Sequence, residues 1–82
     1  NVLMRLASHK GVDVRKSLVR YAGSDHPEVL IKLASDEDKK VRFEVAASQY
    51  SPVEALKILV NDPWPRVEVA ALNNQNYTML GR

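Results

Sequence analysis

Few side chains in this 82-residue sequence are suited to acid–base or nucleophilic chemistry. The sequence contains two histidines, His9 and His26, and no cysteine, so it has no thiolate nucleophile and no cysteine ligand for a metal or cluster. No serine stands at a recognised motif spacing from a histidine and an acid. We therefore expect a protein that is not an enzyme and that holds no cofactor.

One acidic run, Asp36-Glu37-Asp38, has the residue type that attracts calcium. The glycine and the distal glutamate of a calcium loop are missing from it. Carboxylates just before a helix also complement the positive end of the helix dipole, and this is the simpler interpretation of the run. We expect no metal site.

Composition indicates a folded, helix-rich chain. Apolar residues make up 45% of the sequence and charged residues 27%, which is typical of an ordered domain rather than a disordered tail. No apolar run approaches the roughly 20 residues that cross a bilayer. We expect a soluble, cytoplasmic protein that does not enter a membrane, and, because the last residues begin another apolar segment, a piece of a longer chain.

A short phrase occurs three times along the chain. VRFEVAA at 41–47 returns as PRVEVAA at 65–71 and, more faintly, as VRKSLVR at 14–20. The copies at 14–20 and 41–47 are 27 positions apart. The units that contain the copies at 41–47 and 65–71 match at an offset of 26 positions up to Asp62 and at an offset of 24 positions after it, as if two loop residues had been lost. Repeats are predicted at 1–24, 25–50 and 51–74, with a further unit starting at 77–82.

Each repeat has the pattern of two short helices. Pro27 and Pro52 suit a first helical position, with Asp25-His26 and Ser51 as the expected N-caps. Apolar residues at spacings of three and four follow these starts. Helices are predicted at 2–9, 13–22, 27–35, 39–49, 52–61 and 66–73, with a seventh from Tyr77.

Two helices this short cannot bury an apolar stripe alone, so neighbouring repeats must stack and share one core. Alanines at 46, 47, 70 and 71 allow helices of adjacent repeats to approach closely. The predicted fold is an all-α solenoid of about three two-helix repeats.

The sequence resembles the leucine-rich-repeat variant family of short HEAT-like repeats. The resemblance is carried by LASDEDKKVRFEVAASQYSP at 33–52, LVNDPWPRVEVAALN at 59–73 and LASHKGVDVRKSLVR at 6–20. It implies a right-handed superhelix in which α- and 3₁₀-type helices alternate, so that segments 27–35 and 52–61 would be tighter or shorter. Some family members carry a cysteine-ligated iron–sulfur module, which this cysteine-free chain cannot hold.

Arg15, Arg42 and Arg66 fall at equivalent positions of the repeated phrase and would form a column of positive charge. Asp36 lies six residues before Arg42, and Asp62 lies four before Arg66. Each arginine can therefore pair with an aspartate in the turn before its own helix, as in the ladders of HEAT-type repeats. A structural ladder is favoured over phosphate binding.

The first unit departs from this pattern because His9 stands where the aspartate is expected. Arg15 would then have only Asp13 nearby or no partner. This makes Arg15 the arginine predicted to be most available to a binding partner.

Trp64 lies between two prolines in the turn before the predicted helix 66–73. It is either an exposed aromatic anchor for a partner or a lid over the preceding helix, and the sequence does not decide between them. Phe43 replaces Lys16 of the first unit, and we interpret it as a wedge between units in preference to a contact. The predicted partner-binding residues are Arg15, Lys16, Phe43, Glu44, Trp64 and Glu68.

Another protein is the predicted partner, and the sequence shows no small-molecule substrate. The alternative is nucleic acid, which requires a basic stripe with Lys10, Arg15, Lys16, Lys39 and Lys40 on one side. Acidic residues interleaved with these cations, and a net charge of only +2, argue against it. A third interpretation is self-association through uncapped repeat ends.

Overall fold

The structure is a computed structural model that describes the backbone of residues 2–80 and the side chains of residues 2–78. This part of the chain forms seven α-helices and a 3₁₀ turn, and it contains no β-strand. The helices are α1 (Val2–Leu6), α2 (Val12–Ala22), α3 (Pro27–Leu33), α4 (Lys39–Ala47), α5 (Val53–Leu59), α6 (Pro65–Leu72) and α7 (Gln75–Leu80), and the 3₁₀ turn is Gly23–Asp25. The predicted all-α class is confirmed.

Every predicted helix is present, but several details of the helix ends were wrong. α3 and α5 are α-helical rather than 3₁₀, although both are shorter than the predicted 27–35 and 52–61, and the 3₁₀ turn lies between α2 and α3. The expected caps do not form, because His26 makes no capping hydrogen bond and the Ser51 hydroxyl donates to the Val45 carbonyl. α4 has a side-chain cap, with the Lys40 amide donating to Asp38 Oδ1 at 2.7 Å. α7 begins at Gln75, before the predicted start at Tyr77. Residues 81 and 82 of the predicted unit at 77–82 lie outside the part of the chain that the structure describes.

The helices form two layers. α2, α4 and α6 lie side by side in one layer, and α3 packs against α5 and α5 against α7 in the other. The Cα atoms extend over 36 × 25 × 14 Å. The smallest dimension fits two helices in contact, because axes about 10 Å apart add one Cα radius on each side.

The core lies between these layers. Its largest fully buried side chains are leucines and valines from the middle of the stack. They are Val19, Val29, Leu30, Leu33, Val41, Val45, Leu56, Leu59 and Val67. Buried alanines, including Ala46 and Ala71, stand where α4 and α6 meet. Of the four alanines predicted to allow close helix approach, Ala46 and Ala71 are buried, whereas Ala47 is exposed and Ala70 is half-buried.

The spacing of equivalent positions corrects the offset inferred from the repeated phrase. Asp38 and Trp64 precede α4 and α6 by one residue, and the buried Val41 and Val67 each occupy the third helical position. Both pairs are related by 26 positions, as are Asp36 and Asp62 before them. No residues are lost in the loop, so the match of Arg42 with Arg66 in the sequence phrase is two residues out of structural register.

Polar side chains join the corner after α6 to the corner after α4. Asn74 Nδ2 donates to the carbonyls of Ala46 at 2.8 Å and Ser48 at 2.9 Å. Asn76 Nδ2 donates to the carbonyls of Gln49 and Ser51, both at 2.9 Å. These bonds satisfy carbonyls that the end of α4 leaves without helical partners.

Candidate functional site

The first arginine of the predicted column is held by an aspartate of the following helix pair. Arg15 Nε lies 2.7 Å from Asp36 Oδ2, and Arg15 Nη2 lies 3.0 Å from Asp36 Oδ1. Both side chains are buried, with exposed fractions of 7% and 6%. The hydrogen bond to Asp36 raises the pKa of the Arg15 guanidinium above its ordinary value, against the opposing effect of burial, so the guanidinium stays charged.

The second arginine repeats this arrangement one helix pair further on. Arg42 Nε lies 2.6 Å from Asp62 Oδ2, and Nη2 lies 3.4 Å from Asp62 Oδ1. In both cases the remaining guanidinium nitrogen donates to a backbone carbonyl six residues earlier, from Arg15 to His9 and from Arg42 to Asp36. Arg15 thus ties the turn before α2 to the turn before α4, and Arg42 ties the turn before α4 to the turn before α6.

This geometry corrects two sequence predictions. The aspartate that binds each arginine belongs to the following unit, whereas the preceding turn contributes a carbonyl oxygen. Arg15, expected to be the arginine most available to a partner, is one of the least available because Asp36 neutralises it in a buried site. We call the two pairs Arg15–Asp36 and Arg42–Asp62 the ladder.

Arg66 is not part of the ladder. The ladder arginines are the fourth residues of α2 and α4, and the fourth residue of α6 is Glu68. Arg66 is exposed and has no ion-pair partner among the side chains that the structure describes. The sequence predicted a structural role for Arg66 and a contact role for Glu68, but the structure places Glu68 in the ladder register and leaves Arg66 free.

A groove lies on the layer formed by α2, α4 and α6, the second helices of the predicted helix pairs. It encloses about 240 Å³ and is lined by Lys16, Lys40, Phe43, Glu44, Trp64 and Arg66. Four of these six, Lys16, Phe43, Glu44 and Trp64, are predicted partner-binding residues. We call this the second-helix groove.

Two aromatic rings form the apolar part of the groove. Phe43 and Trp64 are both half-buried and pack against the core. The Trp64 amide donates to Asp62 Oδ1 at 2.9 Å, which connects the tryptophan turn to the ladder. The Lys39 ammonium lies 4.5 Å from the Trp64 ring centroid, within the range of a cation–π interaction.

Positive charge exceeds negative charge in the groove. Lys16, Lys40 and Arg66 face one carboxylate, Glu44. Arg20 lies 3.7 Å from that carboxylate but is 81% exposed, so this ion pair is weak and solvent-screened. A ligand in this groove would meet basic side chains beside two aromatic rings.

The remaining predicted contact residues lie elsewhere. Lys10 lines a separate cavity with His9, Arg15 and Asp36, so the basic stripe required for nucleic acid is divided. Sequence reasoning missed Arg66 as a groove residue because it assigned this arginine to the ladder. Aligning Asp36 with Asp62 without a gap would have placed Arg66 opposite Lys40, at the second position of each helix.

A larger cavity of about 510 Å³ lies between α1 and α2. Its lining is mainly apolar and includes Val2, Leu6 and Val14. The equivalent residues of the next helix pair, such as Val29 and Val41, are fully buried. Self-association through this end of the stack stays a prediction.

Within the described residues, no group of three or more histidine, aspartate and glutamate side chains is arranged to hold a metal ion. None of the helices in that part of the chain combines the length and the hydropathy needed to span a bilayer.

Comparisons of the chain with protein-family models, with curated proteins and with solved structures gave no significant match. The resemblance to the leucine-rich-repeat variant family accordingly stays a prediction.

Proposed function

We propose that this chain is a right-handed α-solenoid of about three two-helix repeats that acts as a non-catalytic scaffold and binds another protein at the second-helix groove. The observation that carries the proposal is the convergence of Phe43 and Trp64 with the cations Lys16, Lys40 and Arg66 in one groove. Tryptophan and arginine are enriched among the residues that dominate protein interfaces. None of the four ladder residues lines this groove, and their charges already pair with one another.

The dimensions of the groove favour a protein over a small molecule. Small-molecule pockets generally enclose about 300–1,000 Å³ and bury most of the ligand. The groove is smaller, at about 240 Å³, and three of its lining side chains are basic. It fits one or two side chains of a partner that extends beyond it.

Nucleic acid is the second candidate, and the cluster of Lys16, Lys40 and Arg66 on one side favours it. Two features weigh against it. One lysine, Lys39, occupies a face of the Trp64 ring that a base would need for stacking, and Arg15 is neutralised by Asp36. Labelled single-stranded and duplex DNA, titrated at low and near-physiological salt, provide the direct comparison.

The test of protein binding is selection of a displayed library of short linear peptides on the wild-type protein. Peptides that bind the groove should lose about thirtyfold or more in affinity on Trp64→Ala, because central aromatic anchors contribute about 2 kcal/mol or more. Leu72→Ala is the control, since this exposed α6 residue does not line the groove. Affinity is measured by fluorescence anisotropy, and circular dichroism checks the fold of each variant.

The proposal is wrong if selection enriches no peptide, or if the enriched peptides bind the wild type and Trp64→Ala equally well. Should Trp64→Ala unfold the protein, Arg66→Glu replaces it. That substitution changes an exposed groove side chain that has no ion pair among the described residues.

A further inference from the structure

The charges of the second-helix groove specify more than a generic protein partner. Lys40 and Arg66 are both exposed and occupy the second positions of α4 and α6, so they project from adjacent helices at the same level. Lys16 of α2 lines the same groove. The three cations therefore come from three neighbouring helices and line one groove together with the two aromatic rings.

These cations are not used by the fold. Neither the Lys40 ammonium nor the Arg66 guanidinium has a carboxylate partner within the described side chains. By contrast, the buried arginines of the ladder each bind an aspartate of their own chain. Charges left unpaired beside half-buried aromatic rings are available to a partner's carboxylates.

The residue that precedes α6 also favours an acidic partner. Trp64 and Asp38 occupy the same position before their helices, and Asp38 caps α4 by accepting from the Lys40 amide. At the start of α6 the tryptophan replaces this carboxylate and makes no capping bond. The groove thus has an aromatic ring where the preceding unit has an acid, which lowers its negative charge.

We infer that the second-helix groove binds an acidic linear segment of a partner protein, with an apolar side chain against Phe43 and Trp64 and flanking carboxylates paired to Lys16, Lys40 and Arg66. This inference rests on the proposed protein-binding function and adds the chemistry of the partner. The aromatic rings supply affinity, because their apolar surface leaves water on binding. The basic rim supplies selection by charge and accelerates encounter, so its effect weakens as salt rises.

An acidic segment fits better than a nucleic-acid backbone. Each strand of nucleic acid presents a regular row of phosphates, and tight binding requires many cations along it. The groove offers three cations over a short span, and Lys10 lies in a different cavity. Both Phe43 and Trp64 are half-buried, which leaves side-chain-sized apolar surface and little open ring face for stacking.

The test uses three fluorescein-labelled synthetic peptides that share a central Leu-Phe anchor. One carries glutamates on both sides of the anchor, the second glutamines and the third lysines. At about 50 mM salt we expect the glutamate peptide to bind the wild type about tenfold more tightly than the glutamine peptide, with the difference shrinking as salt is raised. The lysine peptide should bind least tightly of the three.

A charge-matched pair of variants locates the effect. The double variant Lys40→Gln/Arg66→Gln should weaken the glutamate peptide about 5- to 20-fold and barely affect the glutamine peptide. Lys32→Gln/Lys57→Gln removes the same two charges from exposed positions on α3 and α5, outside the groove, and should leave the affinity within about twofold. None of these four side chains is buried, so all variants should fold.

The outcomes separate the two levels of the proposal. Equal binding of the glutamine and glutamate peptides, or equal losses in the two double variants, overturns the acidic-partner inference and leaves protein binding intact. If none of the three peptides binds and the peptide library is also unproductive, both proposals fail. Tighter binding of labelled single-stranded or duplex DNA than of the glutamate peptide, lost in Lys40→Gln/Arg66→Gln, assigns the groove to nucleic acid instead.

Discussion

Arg42 and Arg66 occupy the same place in a repeated phrase but have different environments. Arg42 holds the buried carboxylate of Asp62, which is only 4% exposed, whereas Arg66 points into the open groove. Removing Arg42 leaves that carboxylate without its cation in a site that water scarcely reaches. The cost of an uncompensated buried charge is much larger than the cost of losing a surface charge.

Arg42→Ala should therefore lower the free energy of unfolding by about 3 kcal/mol, and Arg66→Ala should change it by less than about 0.5 kcal/mol. Urea denaturation followed by circular dichroism measures both changes. If the two variants lose similar amounts of unfolding free energy, the two arginines have equivalent roles, as the sequence predicted, and the structural register is contradicted.

At this scale the sequence predicted the kinds of residue in the ladder and missed how they pair. Arg42, Asp36 and Asp62 were all identified, because charged pairs recurring at a repeat spacing are typical of a braced stack. The partner of each arginine was wrong because spacing along the chain measures proximity within a turn and not across helix pairs. Arg15 was misassigned for this reason, since its aspartate lies 21 residues away.

At the scale of elements, a single asparagine links two corners of the chain. Asn74 donates to two carbonyls at the end of α4, and its own Oδ1 accepts from the Asn76 amide at 2.9 Å. The side chain is nearly buried, so loss of the amide leaves carbonyls of Ala46 and Ser48 without this donor. Unsatisfied buried acceptors are costly because water cannot replace the lost bonds.

We expect Asn74→Ala to destabilise the fold by about 2 kcal/mol. The adjacent Asn73→Ala removes the same side chain from an exposed position and should cost less than about 0.5 kcal/mol. Thermal unfolding of the two variants side by side gives the comparison. An equal shift in Tm would show that the corner contributes no more than any surface asparagine.

The helices themselves were predictable because their apolar stripes and proline starts are local features. The corner bonds were not, since the sequence shows Asn74 only as one residue of the polar run 73–76 between the predicted helix 66–73 and the helix predicted from Tyr77. In a polar run, the sequence does not distinguish an asparagine that is buried and donates hydrogen bonds from an asparagine that is exposed. The N-cap of α4 was also missed: Asp38 was interpreted only as part of an acidic run that complements the helix dipole, and caps were predicted only for the helices after Pro27 and Pro52.

For the whole molecule, the proposed repeat stack implies that stability depends on having neighbours on both sides. The main helix contacts join adjacent pairs, such as α2 with α4 and α4 with α6. Such a stack resembles a one-dimensional array in which inner units gain two interfaces and end units one. α1 illustrates the end effect, because it contains no buried residue whereas α3 contains three.

Leu33 and Leu6 test this dependence with one chemical change at equivalent positions. Leu33 in α3 is 1% exposed and packed from both sides, whereas Leu6 in α1 is half-buried. Leu33→Ala should lower the free energy of unfolding by about 3–4 kcal/mol, because the surroundings cannot close the cavity. Leu6→Ala should cost about 1 kcal/mol, because only part of its surface leaves water on folding.

Urea unfolding measures both values, and hydrogen exchange should show faster opening of α1 than of α3 in the wild type. If the two substitutions cost the same, stability would not depend on position in the stack, and a compact bundle with uniform packing would describe the molecule better than an array of neighbouring repeats.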